Sequence, residues 1–309
     1  MLKRKVLLIL LFFSSFLPVV SLAVESPPIG QQSTVPYGVI DPLLLQTANT
    51  DGEVMRYDIF WTGGVKIGEM SLEIRRLRGR KETYQIKALI TTENGAIHGI
   101  YPVRDAHVTT VRGKDRLPSH YEVRQKEGYN YQAYRMTKYS QVGKKIIYRK
   151  NAEPPVEYAI EGPTHNEFSA FFSSRVMPFT VGKSFIVPTF ADKKRNEVKV
   201  QVVGREKLEK TILGVVETMK VMPILEFKGL YDKNGDTVIW YTNDECRVPV
   251  RINSKLMIGS LTCELISYVN PACQRYDGAI KIEKKNKNTV QAREAALPTT
   301  GVNNPEGNK

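Results

Sequence analysis

The densest knot of reactive side chains is Asp244-Glu245-Cys246-Arg247, set inside the stretch KNGDTVIWYTNDECRVPVRI, residues 233 to 252. A cysteine beside a cation can act as a nucleophile, because the thiolate is the attacking species. Here Arg247 would lower the Cys246 pKa while Asp244 and Glu245 would raise it, and no histidine is near in sequence. Covalent closure suits the residue better. The chain has three cysteines, at 246, 263 and 273, so one disulfide leaves one thiol over. If the hairpin pivots near Met257, position 246 falls opposite about 268, close to Cys273, whereas Cys263 shares a strand face with Leu261 and Leu265. The expected disulfide is Cys246 with Cys273, and Cys263 with Cys273 is the alternative.

His107 and His120 lie symmetrically about Gly113-Lys114 and could face each other across a hairpin, which makes them the best candidates for a pair of metal ligands. Two ligands without a third do not make a site, so both read as ordinary strand histidines and no metal is expected. A glycine-rich phosphate loop, an HExxH motif and a Gly-x-Ser-x-Gly elbow are all absent from the sequence. No catalytic residue and no cofactor is therefore expected, and an enzyme is the least supported reading.

The elements that must carry these residues are strands. Segments such as EVMRYDIFW (53 to 61), KIGEMSLEI (66 to 74), TYQIKALITT (83 to 92) and YNYQAYRMTKY (129 to 139) alternate or are rich in β-branched and aromatic residues, and TVIWYT, RVPVRI and SLTCELISY follow later. Turn residues separate them closely, and strands this close must pair as antiparallel hairpins. The expected fold is mainly β: a curled antiparallel sheet, a β-spiral or open half-barrel, of roughly a dozen or more strands. GVKIGEMSLEI (64 to 74) also aligns without gaps on KLMIGSLTCEL (255 to 265), matching Gly68 with Gly259, as if the first and last hairpins were one device.

One segment, PTHNEFSAFFSSRV, breaks the strand pattern. Thr164 three residues before Glu167 makes a capping box, and Phe168, Phe171, Phe172 and Val176 fall on one helical face. A docked amphipathic helix is expected near 165 to 176, with His165 and Glu167 serving the cap. On the strands, Val238, Trp240 and Thr242 point one way and Ile239 and Tyr241 the other. A groove beside the helix would be lined, or plugged, by Trp61, Phe168, Phe171, Phe172, Val238 and Trp240, and such a groove suits an acyl chain.

The N-terminus carries Lys3, Arg4 and Lys5, then an apolar run from Val6, Pro18, and small residues at Ser21 and Ala23. That order predicts an export signal cleaved after Ala23, with an uncleaved anchor as the alternative. Cleavage lowers the formal charge from +13 to +10. The expected location is periplasmic, peripheral to a membrane at most, with a lipid-like ligand or an anionic envelope component as partner and no nucleic acid. The expected organisation is a signal peptide at 1–23, a flexible linker at 24–49, a single β-rich domain at 50–275 and a disordered basic tail at 276–309.

The segment 211 to 265 resembles the exported bacterial proteins grouped as domain-of-unknown-function family 3108. The resemblance rests on the Leu213-Gly214 turn, Lys220-Val221 leading to Pro223, the Ile239-Trp240 strand, the Asp244 turn, Arg247 to Val250 and the Gly259 hairpin. YDIFWTGGVKIGEMSLEI (57 to 74) and EFSAFFSSRVMPFTVG (167 to 182) are similar to that family's opening hairpin and helix, so the likeness covers about residues 50 to 268. Cys246 departs from the polar residue the pattern implies. The resemblance implies an exported β-rich spiral and transfers no catalytic residue. Two functions follow as expectations: a non-enzymatic envelope protein binding an apolar or amphipathic ligand, or an interaction module with a packed interior that meets anionic wall polymer or protein through basic turns.

Overall fold

The computed structural model describes residues 35–191, 193–224, 237–256 and 259–280. The first eight strands form a meander: β1 (Glu53–Trp61), β2 (Val65–Arg76), β3 (Thr83–Thr91), β4 (Arg104–Arg112), β5 (Leu117–Glu127), β6 (Tyr131–Ser140), β7 (Lys145–Lys150) and β8 (Val156–Ala159). The helix α1 (Glu167–Ser174) follows. A second meander then runs through β9 (Ser184–Ala191), β10 (Lys194–Thr211), β11 (Gly214–Ile224), β12 (Thr237–Thr242), β13 (Pro249–Leu256) and β14 (Gly259–Val269), with the short β15 (Ala279–Ile280) beyond.

All fifteen strands belong to one antiparallel sheet, because β14 returns to pair with β1 and joins the two meanders. The parts of the two echoed segments that form β2 and the start of β14 thus lie on either side of β1. The path ends at β8 on one side and β9 on the other, so the sheet is curled but not closed. Side chains bridge that seam. Tyr139 and Tyr158 pack their rings on Phe190 at 6.4 and 5.4 Å, and Gln141 bonds the backbone of Thr164 through both ends of its amide. The β9 edge is further covered by parallel bridges from Tyr37 to Ile186 and from His165 to Thr189, which occupy backbone groups that would otherwise template aggregation.

The structure revises several boundaries. The helix spans 167–174, and its cap is Asn166 with Ser169. Asn166 is extended at φ −98°, ψ 179°, and accepts from the Ser169 amide, while His165 is still engaged with β9 and Thr164 with Gln141 and Gly162. Residues 37–49, read as part of a linker, are ordered: they hold the bridge to β9, a 3-10 turn at Leu44–Gln46, and the buried Ala48 and Asn49. A Cβ on Gly38 would approach Met177 Sδ to 2.3 Å and Phe185 to 2.8 Å, so any other residue here would require those side chains to move. Ala279–Ile280, read as tail, pairs with β14.

The concave face holds the core, in which Phe168 and Phe172 of α1 meet Tyr57, Leu72, Ile86, Val123 and Leu265. The deepest feature is polar. Arg175, the helix C-cap, is fully buried and donates to both carboxylate oxygens of fully buried Glu53, at 2.9 and 3.1 Å. Its remaining donors reach the carbonyls of Cys246 and Arg247, both at 3.0 Å. Tyr268 and Asn270 complete the shell of Glu53. Burial alone would lower the Arg175 pKa, but the adjacent Glu53 carboxylate, with Tyr268 and Tyr241 adding to it, raises it overall.

Replacing Arg175 by Met leaves Glu53 as an unpaired buried charge. The expected loss is about 3–5 kcal/mol, read from the urea midpoint, with Arg175→Met/Glu53→Met regaining part of it. A double variant that is no more stable than the single one would contradict a coupled pair.

Candidate functional site

The charged knot at 244–247 is a turn. One Asp244 carboxylate oxygen accepts from Thr242 Oγ1 and from the amides of Cys246 and Arg247, and the other accepts from the Tyr276 hydroxyl at 2.8 Å. Arg247 takes a left-handed φ of 48°, and its guanidinium stacks 4.4 Å over Phe179. Cys246 is bonded to Cys273, both 1% exposed, and ties the β12–β13 turn to the chain leaving β14. Cys263 is the free thiol.

His107 and His120 lie on opposite faces and cannot share a metal. His107 points inward, is held by the Tyr121 hydroxyl at 2.8 Å, and lies under Phe168 with ring centroids 4.8 Å apart. Burial drives its pKa down to about 3, so it is neutral. His120 is partly exposed and bonds Glu122. The register explains the difference: His107 pairs with Val123, and His120 pairs with Thr110.

The six residues expected to line a groove do not converge. Phe168 and Phe172 are 4% and 1% exposed and fill the core as a plug, with Phe171 partly buried between two core clusters. Val238 and Trp240 are half-buried on the convex face, where Trp240 Nε1 donates to Glu206 at 3.1 Å and Lys220 sits 5.5 Å from its ring. Their neighbours Ile239 and Tyr241 take the concave side. Of the six, Trp61 and Val238 lie toward the end of the curl away from Arg175, Val238 level with Phe60 beside Trp61 in the register, and Trp61 packs there on a separate apolar cluster.

That end is built differently. The chain reaches it at the β1–β2 turn, the loop 92–103 between β3 and β4, and the β5–β6 turn. Ile59, Ile67, Ile90 and Leu261 form a separate small cluster there, with Trp61, Met70, Ile97 and Cys263 packed on it. Met70 and Cys263 also touch the main core, yet both remain partly exposed, as do Trp61 and Ile252. Dense surroundings push the Cys263 thiol up to about 12 even though the residue still reaches solvent. Both properties fit a side chain on the wall of a concavity. Ile252 pairs with Cys263 across β13 and β14, which puts them side by side on that wall.

Beside this apolar wall, the inward positions of β4, β5 and β6 nearest this end are polar. Gln125 Nε2 donates to Glu127 at 2.9 Å and reaches Asp105 at 3.5 Å, and the Lys126 amide donates to Asp105 at 3.1 Å. Burial raises the pKa of both carboxyls; the neighbouring Asp105 charge pushes Glu127 further, to about 8, and Arg135 opposes the rise. Arg135 is 9% exposed, and its Nε and the Tyr148 hydroxyl are buried without a hydrogen-bond partner among the described residues. Tyr131, 39% exposed, stands at the start of β6, beside the exposed Tyr129 and Ile100. Buried polar atoms are rarely orphaned, which sets Arg135 and Tyr148 apart from the fully paired Arg175. Strand alternation could have placed these residues inward, but acids and arginines read as the solvent face by default.

The family described as Protein of unknown function (DUF3108) matches residues 56–266. No curated protein matches the chain. Among solved structures, the chain is similar to a β-barrel-like Brucella abortus protein of the domain of unknown function DUF1849, at 9% identity and a TM-score of 0.49, over 71% of this chain and 98% of that one. It is also similar to a Bacteroides fragilis protein with a YmcC-like fold, provisionally described as exported, at 10% identity and a TM-score of 0.31, over 71% and 95%. A third is a Parabacteroides distasonis protein provisionally described as a lipoprotein, at 13% identity and a TM-score of 0.28, over 71% and 96%.

The Glu127 carboxyl holds in the folded state a proton that the unfolded chain has released between pH of about 4.5 and about 8. Folding therefore binds more protons in that window, and stability falls as pH rises through it. Glu127→Gln is expected to flatten this slope in thermal midpoints taken across the window. Parallel wild-type and variant profiles would contradict a raised Glu127.

Proposed function

Because the chain belongs to the DUF3108 family, whose description assigns no activity, its own geometry must carry the functional reading, and we propose that it is an exported, non-enzymatic envelope protein that binds an amphipathic ligand at the open end of its curled sheet. The observation that carries this is the partly exposed apolar wall of Trp61, Met70, Ile252 and Cys263, set beside a buried polar group with unpartnered donors. Apolar surface left wet inside a concavity gains free energy when an acyl or similar chain covers it, at roughly 25 cal/mol per Å². The Arg135 guanidinium and the Tyr131 and Tyr148 hydroxyls would take the polar portion of the ligand. Export is supported by the leader-like N-terminus and by the disulfide, which persists in oxidising compartments.

The ligand site in this reading is not the helix groove anticipated from sequence. In this reading, α1 holds the curl open from within and the ligand takes the half it leaves free.

The two tryptophans make a direct test. In a Trp240→Phe variant Trp61 is the sole tryptophan, and with red-edge excitation that spares tyrosine, titration with a short-chain lysophospholipid below its micelle threshold is expected to shift its emission to the blue and to saturate. Met70→Glu and Ile252→Gln are expected to weaken the response, each by about tenfold or more. An unchanged Trp61 spectrum would overturn the assignment.

A further inference from the structure

The end opposite the mouth carries a second surface. Alternate hairpins of a meander open at the same end, so the turns β2–β3, β4–β5 and β6–β7 stand in a row on one rim. The Gly113 amide bonding the Glu82 carbonyl at 3.0 Å, and Gln141 Nε2 bonding the Pro118 carbonyl at 3.0 Å, fix these neighbours side by side. The three turns expose Arg75, Arg76, Arg78, Arg80, Lys81, Arg112, Lys114 and Lys144, against the exposed acids Glu82 and Asp115. Arg75 is paired with Glu73, and Asp51 is committed to the Arg76 amide, so most of the cationic charge is not neutralised within the rim. The first turn, with Asp51, surrounds a concavity of about 490 Å³ lined by Arg75 through Lys81. Gly79, at φ 73°, makes the bend that gathers these side chains.

Charge alone would suit any polyanion, but the third turn adds an apolar tip. Val142 is 98% exposed and stands next to Gly143-Lys144-Lys145, and Leu77 is partly exposed among the arginines of the first turn. An apolar tip flanked by cations gains from the boundary between head groups and acyl chains and gains nothing from a soluble polymer. We propose that this basic rim docks the protein on the surface of an anionic phospholipid bilayer, with Arg78, Arg80 and Lys81 holding phosphate groups and Val142 entering the interface. The surface is independent of the mouth. Since the two lie at opposite ends of the curl, docking would point the mouth away from the bilayer that holds the protein.

Flotation of the full-length mature protein with vesicles tests this. Phosphatidylethanolamine vesicles containing phosphatidylglycerol are expected to retain the protein at low salt, and phosphatidylcholine vesicles to release it. Arg78→Gln/Arg80→Gln/Lys81→Gln is expected to lower retention by about tenfold or more and to weaken binding to inorganic polyphosphate as well. Val142→Ser is expected to lower vesicle retention while leaving polyphosphate binding unchanged, which separates a bilayer from a soluble polyanion. Met70→Glu at the mouth is expected to leave flotation unaltered. Equal retention by anionic and zwitterionic vesicles, wild-type retention by the triple variant, or an unaltered Val142→Ser variant would each overturn the proposal.

Discussion

The buried ion pair between Arg175 and Glu53 is the interaction on which the rest of the architecture turns. One guanidinium at the end of α1 reaches the first residue of β1 and two carbonyls of the β12–β13 turn, with Tyr268 of β14 sharing the same carboxylate. Four remote segments are thereby fixed to one point. Burying both charges is unfavourable in itself, and the geometry offsets it only because nearly every donor and acceptor of the pair is used. The consequence is specificity of arrangement: the helix cannot slide along the curl without stranding a charge.

That anchoring divides the molecule. At the Arg175 end, helix, disulfide and aromatic side chains pack the concave face, and the turns outside are basic. At the far end the helix is absent, and its place is bordered by half-wet apolar residues and a polar row on β4 to β6. A sheet whose end strands β8 and β9 do not pair with each other is held at its seam through Tyr139, Tyr158 and Gln141. The curl is thus held by side chains where a closed barrel would use backbone ladders.

Much of this was legible in the sequence because it depends on local periodicity. The alternating strands, the Phe168 and Phe172 face, and the proximity of Cys246 to Cys273 follow from spacing and short-range turns. What was not legible is long-range. Arg175 and Glu53 are separated by 122 positions, and neither carries a local sign of burial. Asp105, Gln125, Glu127 and Arg135 occupy inward strand positions, where residue type argues for solvent. Trp240 was assigned to the interior because both faces of β12 are apolar, and only pairing with β11 and β13 decides which is concave. Asn166 took the cap from Thr164 because the segment before the helix is held by β9. The stretch 37–49 lacks any period, and its order comes from Gly38 fitting against Met177 and Asn49 reaching Phe172.

The central claim is that the open end is a ligand site and not an unfilled corner of a core. Native mass spectrometry of the protein, purified from its native cells without detergent and sprayed under gentle conditions, tests this most directly. The account predicts a population heavier than the bare chain by the mass of one amphiphile, lost on solvent extraction and regained on adding lipid extract. A single species at the mass of the bare chain, unchanged by added lipid, would contradict it.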